Sequence, residues 1–391
     1  MSTVFAKGFS TGSVHAGITA LKDKKDLAIV VNNGPSDVAA GVFTSNRFAA
    51  APVIVSKEII ADGKAKAVLI NSGGANACTG EKGIEQSRIC VKETAAALNL
   101  KEDEVLVAST GLIGELLPVE KMISGIKAAA ADLSDSAEYG IASAKAIMTT
   151  DTKYKTVEIQ ADGYRVGGMV KGSGMIAPSL ATMICVITTD ADVTAEQAQK
   201  ALKEAASVTF DRIDVDGCMS TNDTVLLLSS AASGAKPDFE DFKEKIKQAC
   251  SSLSRQIIGD GEGATHDIKI TVSDATSEEA ALACARAVAA SNLLKCAICG
   301  NDPNWGRVVS SLGTVPEETA PYDPSKVTVD INSVRVCDGG KPGLPRALVQ
   351  MAQNREVQID ICLNTGGSCE ATVWTDDLTL DYVHINADYE S

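Results

Sequence analysis

Aromatic side chains are scarce: Phe, Trp and Tyr make up 4% of the 391 residues. So few ring faces exclude the stacking platforms that bind single-stranded nucleic acid. Positive charge is also in deficit, with 36 Lys and Arg against 51 Asp and Glu, a net charge of −15. That balance gives no electrostatic footprint for nucleic acid or an anionic membrane. Only three histidines occur, His15, His266 and His384, and no two have the spacing of a zinc-binding helix. The longest apolar runs, such as residues 180–187, fall far short of the roughly 18 residues that a membrane span needs. Residues 1–12 carry neither an apolar signal core nor an Arg-rich transit pattern, so the expected location is the cytoplasm. The 11 cysteines are scattered without a tight framework, which fits reduced thiols.

What is present is a long, ordinary globular composition, 45% hydrophobic and 22% charged, with room for two or three domains. Short β-branched runs at 27–31, 53–56, 67–71 and 105–109 read as strands. Residues 83–98 and 118–133 read as helices, and 156–161 with 165–170 as a hairpin around Asp162-Gly163, a type I′ signal. Further helices are expected at 194–207, where Thr194 and Gln197 form a capping box, at 238–253 and at 277–293. Strands are expected at 182–188, 224–228, 268–272, 327–331, 357–362 and 372–375. The chain is therefore mixed α/β, with no internal repeat and no linker that composition can locate.

Several motifs match only as text. Cys296 and Cys299 form a lone C-x-x-C at the end of an apparent buried helix, and structural thiols are the simpler reading. Gly8-Phe9-Ser10-Thr11-Gly12 satisfies G-x-S-x-G, but the nucleophile elbow needs a preceding strand for which there is little room. No Walker A sequence occurs, and the acidic Gly-rich run 259–263 lacks the dinucleotide spacing. Trp305 and Arg307 suit a packed Trp with a paired Arg better than a ligand cage.

The informative stretch is Lys171-Gly172-Ser173-Gly174-Met175-Ile176-Ala177-Pro178-Ser179-Leu180-Ala181-Thr182, a Gly-rich loop running into a β-branched strand. Cutting the Ala181–Thr182 bond would give Thr182 both a hydroxyl and a free α-amine. An α-amine titrates at about 7.7–8, so part of it is neutral near pH 7 and can serve as base. A Thr activated by its own amine needs neither His nor metal.

This stretch, with Thr188-Thr189-Asp190-Ala191, resembles the signature of the ornithine acetyltransferases, also called glutamate N-acetyltransferases. The likeness continues in order through Gly8-Phe9, Gly41-Val42-Phe43-Thr44, Asn71-Ser72-Gly73, Ser109-Thr110-Gly111 and Thr149-Thr150-Asp151-Thr152. It goes on through Ser220-Thr221-Asn222-Asp223, Gly261-Glu262-Gly263-Ala264-Thr265, Asp302-Pro303-Asn304-Trp305-Gly306-Arg307 and Asn386. The resemblance implies a two-domain layered α/β fold of the N-terminal-nucleophile type, with the site between the domains. It implies self-cleavage into chains 1–181 and 182–391, which stay together as a tetramer of two of each. It also implies ping-pong transfer of acetyl from N2-acetyl-L-ornithine to Thr182 and on to L-glutamate, a step of arginine biosynthesis.

Thr110 and Gly111 match the family's oxyanion pair. Lys171, Glu262, Asn386, Ser391 and one of Thr149 and Thr150 match its substrate-binding positions. No metal or cofactor is implied; acetyl-CoA is a second donor only if the enzyme is bifunctional. Gly74, Cys218 and His266 depart from the family pattern, which bears on substrate fine-tuning rather than on the reaction.

Overall fold

A computed structural model describes residues 1–19, 21, 23–177 and 183–388. The chain divides into two compact units. The first comprises Met1–Asp211 and Cys218–Ile257; the second takes Arg212–Gly217 and the described residues from Ile258 onward.

The elements of the first unit follow one another as β1 (Phe9–Val14), β2 (Leu27–Asn32), β3 (Ala39–Phe43), α1 (Ala51–Ile59), β4 (Ala67–Asn71), α2 (Gly80–Leu98) and β5 (Val105–Ser109). Then come α3 (Val119–Ala131), α4 (Ala137–Ala146), β6 (Lys155–Gln160), β7 (Arg165–Lys171), β8 (Ile184–Thr189) and α5 (Ala195–Ser207). A short strand β9 (Ile213–Asp214) belongs to the second unit, and β10 (Thr224–Ser229) with α6 (Phe239–Ile258) returns to the first.

Two sheets result, ordered β1-β2-β4-β5 and β3-β10-β8-β7-β6. They face each other across one core. Ala28, Val30, Val68, Ile70 and Leu106 of one sheet pack with Met169, Ile184, Val186, Leu226 and Leu228 of the other. The alternate residues Leu27, Ile29, Leu69, Val105 and Val107 turn outward onto Val91 and Ala95 of α2 and Met122 and Ile126 of α3. Helix α6 covers the second sheet: Leu253 reaches the backbone of Gly168, and the Tyr164 ring lies 6.3 Å from that of Phe242. Strands buried on both faces explain the continuous apolar runs. Each such side chain contributes roughly 1.5–3 kcal/mol of transfer free energy.

The second unit adds β11 (Asp267–Ala275), α7 (Glu278–Ala289), α8 (Asn292–Cys299), α9 (Trp305–Leu312), β12 (Thr328–Ile331) and β13 (Val334–Asp338). It ends with β14 (Lys341–Pro342), β15 (Glu356–Cys362), β16 (Cys369–Asp376) and α10 (Leu380–Asp388). Its single sheet is ordered β14-β13-β12-β15-β11-β16-β9. Ile268, Ile270 and Val272 of β11 bury against α7, α8 and α9, while Lys269, Thr271 and Ser273 alternate to a polar face. No single helix among the described residues is long and apolar enough to cross a membrane.

Four local expectations change. Residues 53–56 lie in helix α1, which Pro52 opens in its first turn. Val53 and Val55 bury there, and the Ser56 hydroxyl donates to the Val107 carbonyl and accepts from its amide, so tertiary packing overrides β propensity. The hairpin at 161–164 is not type I′, because Gly163 has a positive φ (+78°) and Asp162 does not. The helix expected over 277–293 ends at Ala289, and Ser291 caps a separate α8 by accepting the Leu294 amide. On α8, Leu293 and Cys296 are exposed while Leu294 and Ile298 are buried, so it is an amphipathic helix rather than a buried end.

Candidate active site

Strands β4 and β5 run parallel, with Asn71 level with Ser109, and both open into loops at that end. Asn71 organises the two loops. Its Oδ1 accepts the Gly73 and Gly74 amides at 3.3 Å each, its carbonyl accepts the Thr110 amide at 3.0 Å, and its Nδ2 donates to Ser109 Oγ at 2.6 Å. Gly111 has φ +132°, and a Cβ there would lie 2.7 Å from the Gly74 nitrogen. Only glycine fits that approach. The departure at Gly74 therefore lies directly beside Gly111.

Lys171 ends β7 and is 2% exposed, yet its Nζ donates to Thr110 Oγ1 at 3.4 Å. An ammonium can only donate, so the Thr110 oxygen must accept. The Thr110 hydroxyl hydrogen is then left to donate elsewhere. Expected substrate-binding and oxyanion residues thus share one spot.

Asp151 ties this spot to Thr149. Its Oδ2 accepts the Thr149 amide at 2.9 Å, and its Oδ1 accepts the Gly172 amide at 2.7 Å and Lys155 Nζ at 2.6 Å. Burial works against ionising this carboxyl. Lys171 and Lys155, with the Lys155 hydrogen bond and the Gly172 amide, outweigh it and hold the pKa below the ordinary value. Thr149 also lines a cavity of about 440 Å³ with Lys24, Lys145, Met148 and Tyr154. Burial lowers the Lys24 pKa there, with Asp151 and Asp26 opposing. Thr150 is half-buried.

Ala181, Thr182 and Ser391 lie outside the described residues. Met183, which follows Thr182 in the chain, donates its amide to Asp223 Oδ1 at 3.1 Å. Asp223 is fully buried. Its neighbour Asn222 donates from Nδ2 to the Ala75 carbonyl at 2.7 Å and the Ser109 carbonyl at 2.8 Å. The sequence marks Asn222, Asp223 and Asp151 as part of the likeness but assigns them no role. A signal for them exists in the chain: a polar run, Ser220 to Asp223, stands directly before a strand whose centre, Val225 to Leu228, is apolar.

In the second unit, Glu262 and Asn386 are brought together, Asn386 Nδ2 donating to Glu262 Oε2 at 2.7 Å. Gly263 makes the approach possible. It has φ +67°, and a Cβ would meet the Tyr382 amide nitrogen at 2.6 Å. Nearby, the buried Lys295 donates to Asp376 Oδ1 at 3.0 Å and to Thr375 Oγ1 at 3.3 Å. Burial still pushes the Asp376 carboxyl up to about 7. His266, one of the departures, is buried with Nδ1 2.9 Å from Asp377 Oδ2.

The remaining motifs carry no site chemistry. Ser10 lies within β1, paired with Val31, and not on an elbow. All 11 cysteines are free thiols, with Cys218 exposed. The Cys299 thiol is raised by burial and by nearby Asp377, which disfavours the reactive thiolate. Trp305 packs half-buried on the core of its unit, and Arg307 donates to the Leu293 carbonyl.

Residues 10–391 match the ArgJ family along their whole length. The chain belongs to that family. It is 65% identical to the arginine biosynthesis bifunctional protein ArgJ of Bifidobacterium longum, with both chains covered in full. It is 51% identical to the protein of the same name from Streptomyces coelicolor, again over both full lengths. Among solved structures it is similar to an ornithine acetyltransferase complexed with ornithine from Mycobacterium tuberculosis. That match has 37% identity and TM-score 0.41, covering 47% of this chain and 96% of that one.

Proposed function

We propose that the chain is an amino-acid N-acetyltransferase of arginine biosynthesis, moving acetyl from N2-acetyl-L-ornithine to L-glutamate. Membership of the ArgJ family over residues 10–391 carries this reading. The mechanism is self-processing and ping-pong. Hydrolysis of the Ala181–Thr182 bond frees the Thr182 amine, which then takes the proton of the Thr182 hydroxyl as the oxygen attacks the acetyl carbon. Ornithine leaves with a proton, and glutamate's amine takes the acetyl group from the Thr182 ester. Splitting one amide exchange into two ester steps lowers the barrier for both.

The Thr110 hydroxyl and the Gly111 amide stabilise the tetrahedral oxyanion. The Lys171 contact supports this role, since it forces the Thr110 hydrogen away from the ammonium and toward an acceptor. Lys171 and a Thr of the 149–150 pair suit the substrate carboxylate, and Glu262, held by Asn386, suits an ammonium. Ser391 completes the proposed binding set. The transfer needs no metal or cofactor, and acetyl-CoA is the proposed second acetyl donor. We place the enzyme in the cytoplasm as a heterotetramer of the two processed chains.

Intact mass and N-terminal sequencing of freshly purified protein test the processing. A second chain beginning at Thr182 is expected; a single full-length chain that persists on storage refutes it. Incubation with acetylornithine, with and without glutamate, tests the transfer. Acetylglutamate is expected, and acetate release that ignores glutamate would make the protein a hydrolase.

A further inference from the structure

Two neighbouring side chains in the first unit reach in different directions from the entry to β10. Asp223 Oδ1 accepts the amide of Met183, the residue bonded to Thr182. Asn222 Nδ2 donates to the carbonyl of Ser109, the residue bonded to Thr110, and to the carbonyl of Ala75 in the loop that touches Gly111. Backbone pairing reinforces the first arm, since the Thr224 amide donates to the Met183 carbonyl at 3.0 Å. A further bond stiffens the second, with the Asn222 Oδ1 accepting from Thr221 Oγ1 at 2.6 Å. One peptide bond separates the two arms. Both side chains are buried, and a buried polar group costs stability unless it is hydrogen-bonded, as both are here.

We propose that Asn222 and Asp223 form a clasp that holds Met183, the residue that follows Thr182 in the chain, in register with the two loops that carry Gly74 and the Thr110–Gly111 pair, with Asp223 acting as a positioning residue. The inference rests on the proposed Thr182 mechanism and adds two positioning residues to it. Acyl transfer is sensitive to such register, because a misplacement of about 1 Å between reacting groups costs on the order of a hundredfold in rate. Asp223 is well suited to a neutral role. Burial raises its carboxyl well above the ordinary range, against the Met183 amide, the Lys171 charge and the nearby Ser220 and Thr44 hydroxyls. Its Oδ2 is buried with no hydrogen-bond partner among the described residues, as an unionised acid tolerates better than a carboxylate.

The test compares Asp223→Ala, Asp223→Asn and Asn222→Ala in the full chain. Turnover is expressed per acetylated Thr182, counted by mass spectrometry after incubation with acetylornithine. Asp223→Ala is expected to lower kcat by roughly a hundredfold with KM for acetylornithine little changed. Asp223→Asn keeps a neutral group with an acceptor oxygen and is expected to recover most of that loss. Asn222→Ala is expected to lower kcat without a KM change, and the double Ala variant to lose less than the product of the two, as residues acting as one unit do. Asn222→Ala and Asp223→Asn keep the test decisive if Asp223→Ala does not fold.

Normal kcat per acetylated site in either Ala variant would reduce the clasp to a structural feature. An Asn variant as slow as the Ala variant would show that a charged carboxylate is required, overturning the neutral role. Wild-type protein that forms no ester on Thr182 defeats the mechanism itself and the clasp with it. Wild-type acetylation beside an unaffected variant defeats the clasp alone.

Discussion

The two units bury their sheets differently. In the first, β2, β4, β5, β8 and β10 are buried along their whole length. In the second, β11 and β15 alternate between buried and half-buried residues. A strand covered on both faces has no room for polar side chains in mid-strand, so the first unit keeps its chemistry at strand ends: Asn71, Thr110, Lys171 and Asp223. A strand covered on one face can carry polar groups along its length. The second unit does so at Lys269, Thr271 and Thr372, where Thr271 Oγ1 lies 3.0 Å from Thr372 Oγ1. Its buried polar pairs instead collect near the end of β16, Lys295 with Asp376 and His266 with Asp377. Under the proposed function, this contrast puts Thr182, Thr110, Gly111 and Lys171 in the first unit and Glu262 and Asn386 in the second.

The largest effect expected from that division is on Thr182. Thr182→Ala should leave the chain uncut and without transfer activity, read by electrophoresis and by acetylglutamate formation. An active variant would move the nucleophile elsewhere. Next comes the proposed oxyanion pair, Thr110 and Gly111. Thr110→Ala should be cut yet turn over about 10²–10³ times more slowly, the usual loss for one such donor. Lys171→Met should lower kcat less, since it leaves the hydroxyl in place but unoriented. A Lys171 variant slower than Thr110→Ala would assign the lysine a larger part than aiming that hydrogen.

In the second unit the expected change is in binding. Glu262→Gln keeps a hydrogen-bonding partner for Asn386 but removes the charge, so KM for acetylornithine should rise more than kcat falls. A pure kcat loss would place Glu262 in the chemical step. The smallest effect concerns stability and pH. Asp376, raised to about 7, binds a proton in the folded state that the unfolded chain releases near the ordinary carboxylate value of about 4. Its contribution is therefore fully present below about pH 4 and is lost as pH rises through about 7. Asp376→Asn should gain stability relative to wild type between about pH 5 and 8. Trp305 and Trp374, the only tryptophans, both lie in the second unit, so their fluorescence on denaturant unfolding reads that unit directly. A difference that does not change with pH would mean that Lys295 dominates the site.

Much of this architecture is legible in the amino-acid sequence. Apolar runs bounded by Gly and Asn locate most central strands within a residue or two, and the Thr194–Gln197 capping box marks its helix start as expected. Failures occur where a local signal competes with packing. Val53 and Val55 have strand propensity, but Pro52 and the bonds from Ser56 to β5 make their segment helical. The 277–293 helix pattern is continuous in apolar spacing, and the break at Ser291 depends on a side-chain cap that periodicity does not register. Strand β1, with Ser10, Gly12 and Ser13, carries little apolar signal, and in the fold it pairs along its whole length with β2.

The residues that make family membership certain are fixed by the order of motifs along the chain, because chemistry needs particular side chains wherever they fall. The sequence likewise determined the alternation of apolar strands and helices, since hydrophobic spacing is a property of neighbours in the chain. Which groups meet was decided by the tertiary structure alone. Lys171 reaches Thr110, Asn386 reaches Glu262, and Asn222 and Asp223 reach the neighbours of two distant residues, through contacts spanning 40 to 124 positions. Such pairings follow from sheet order and strand register, which no local pattern encodes.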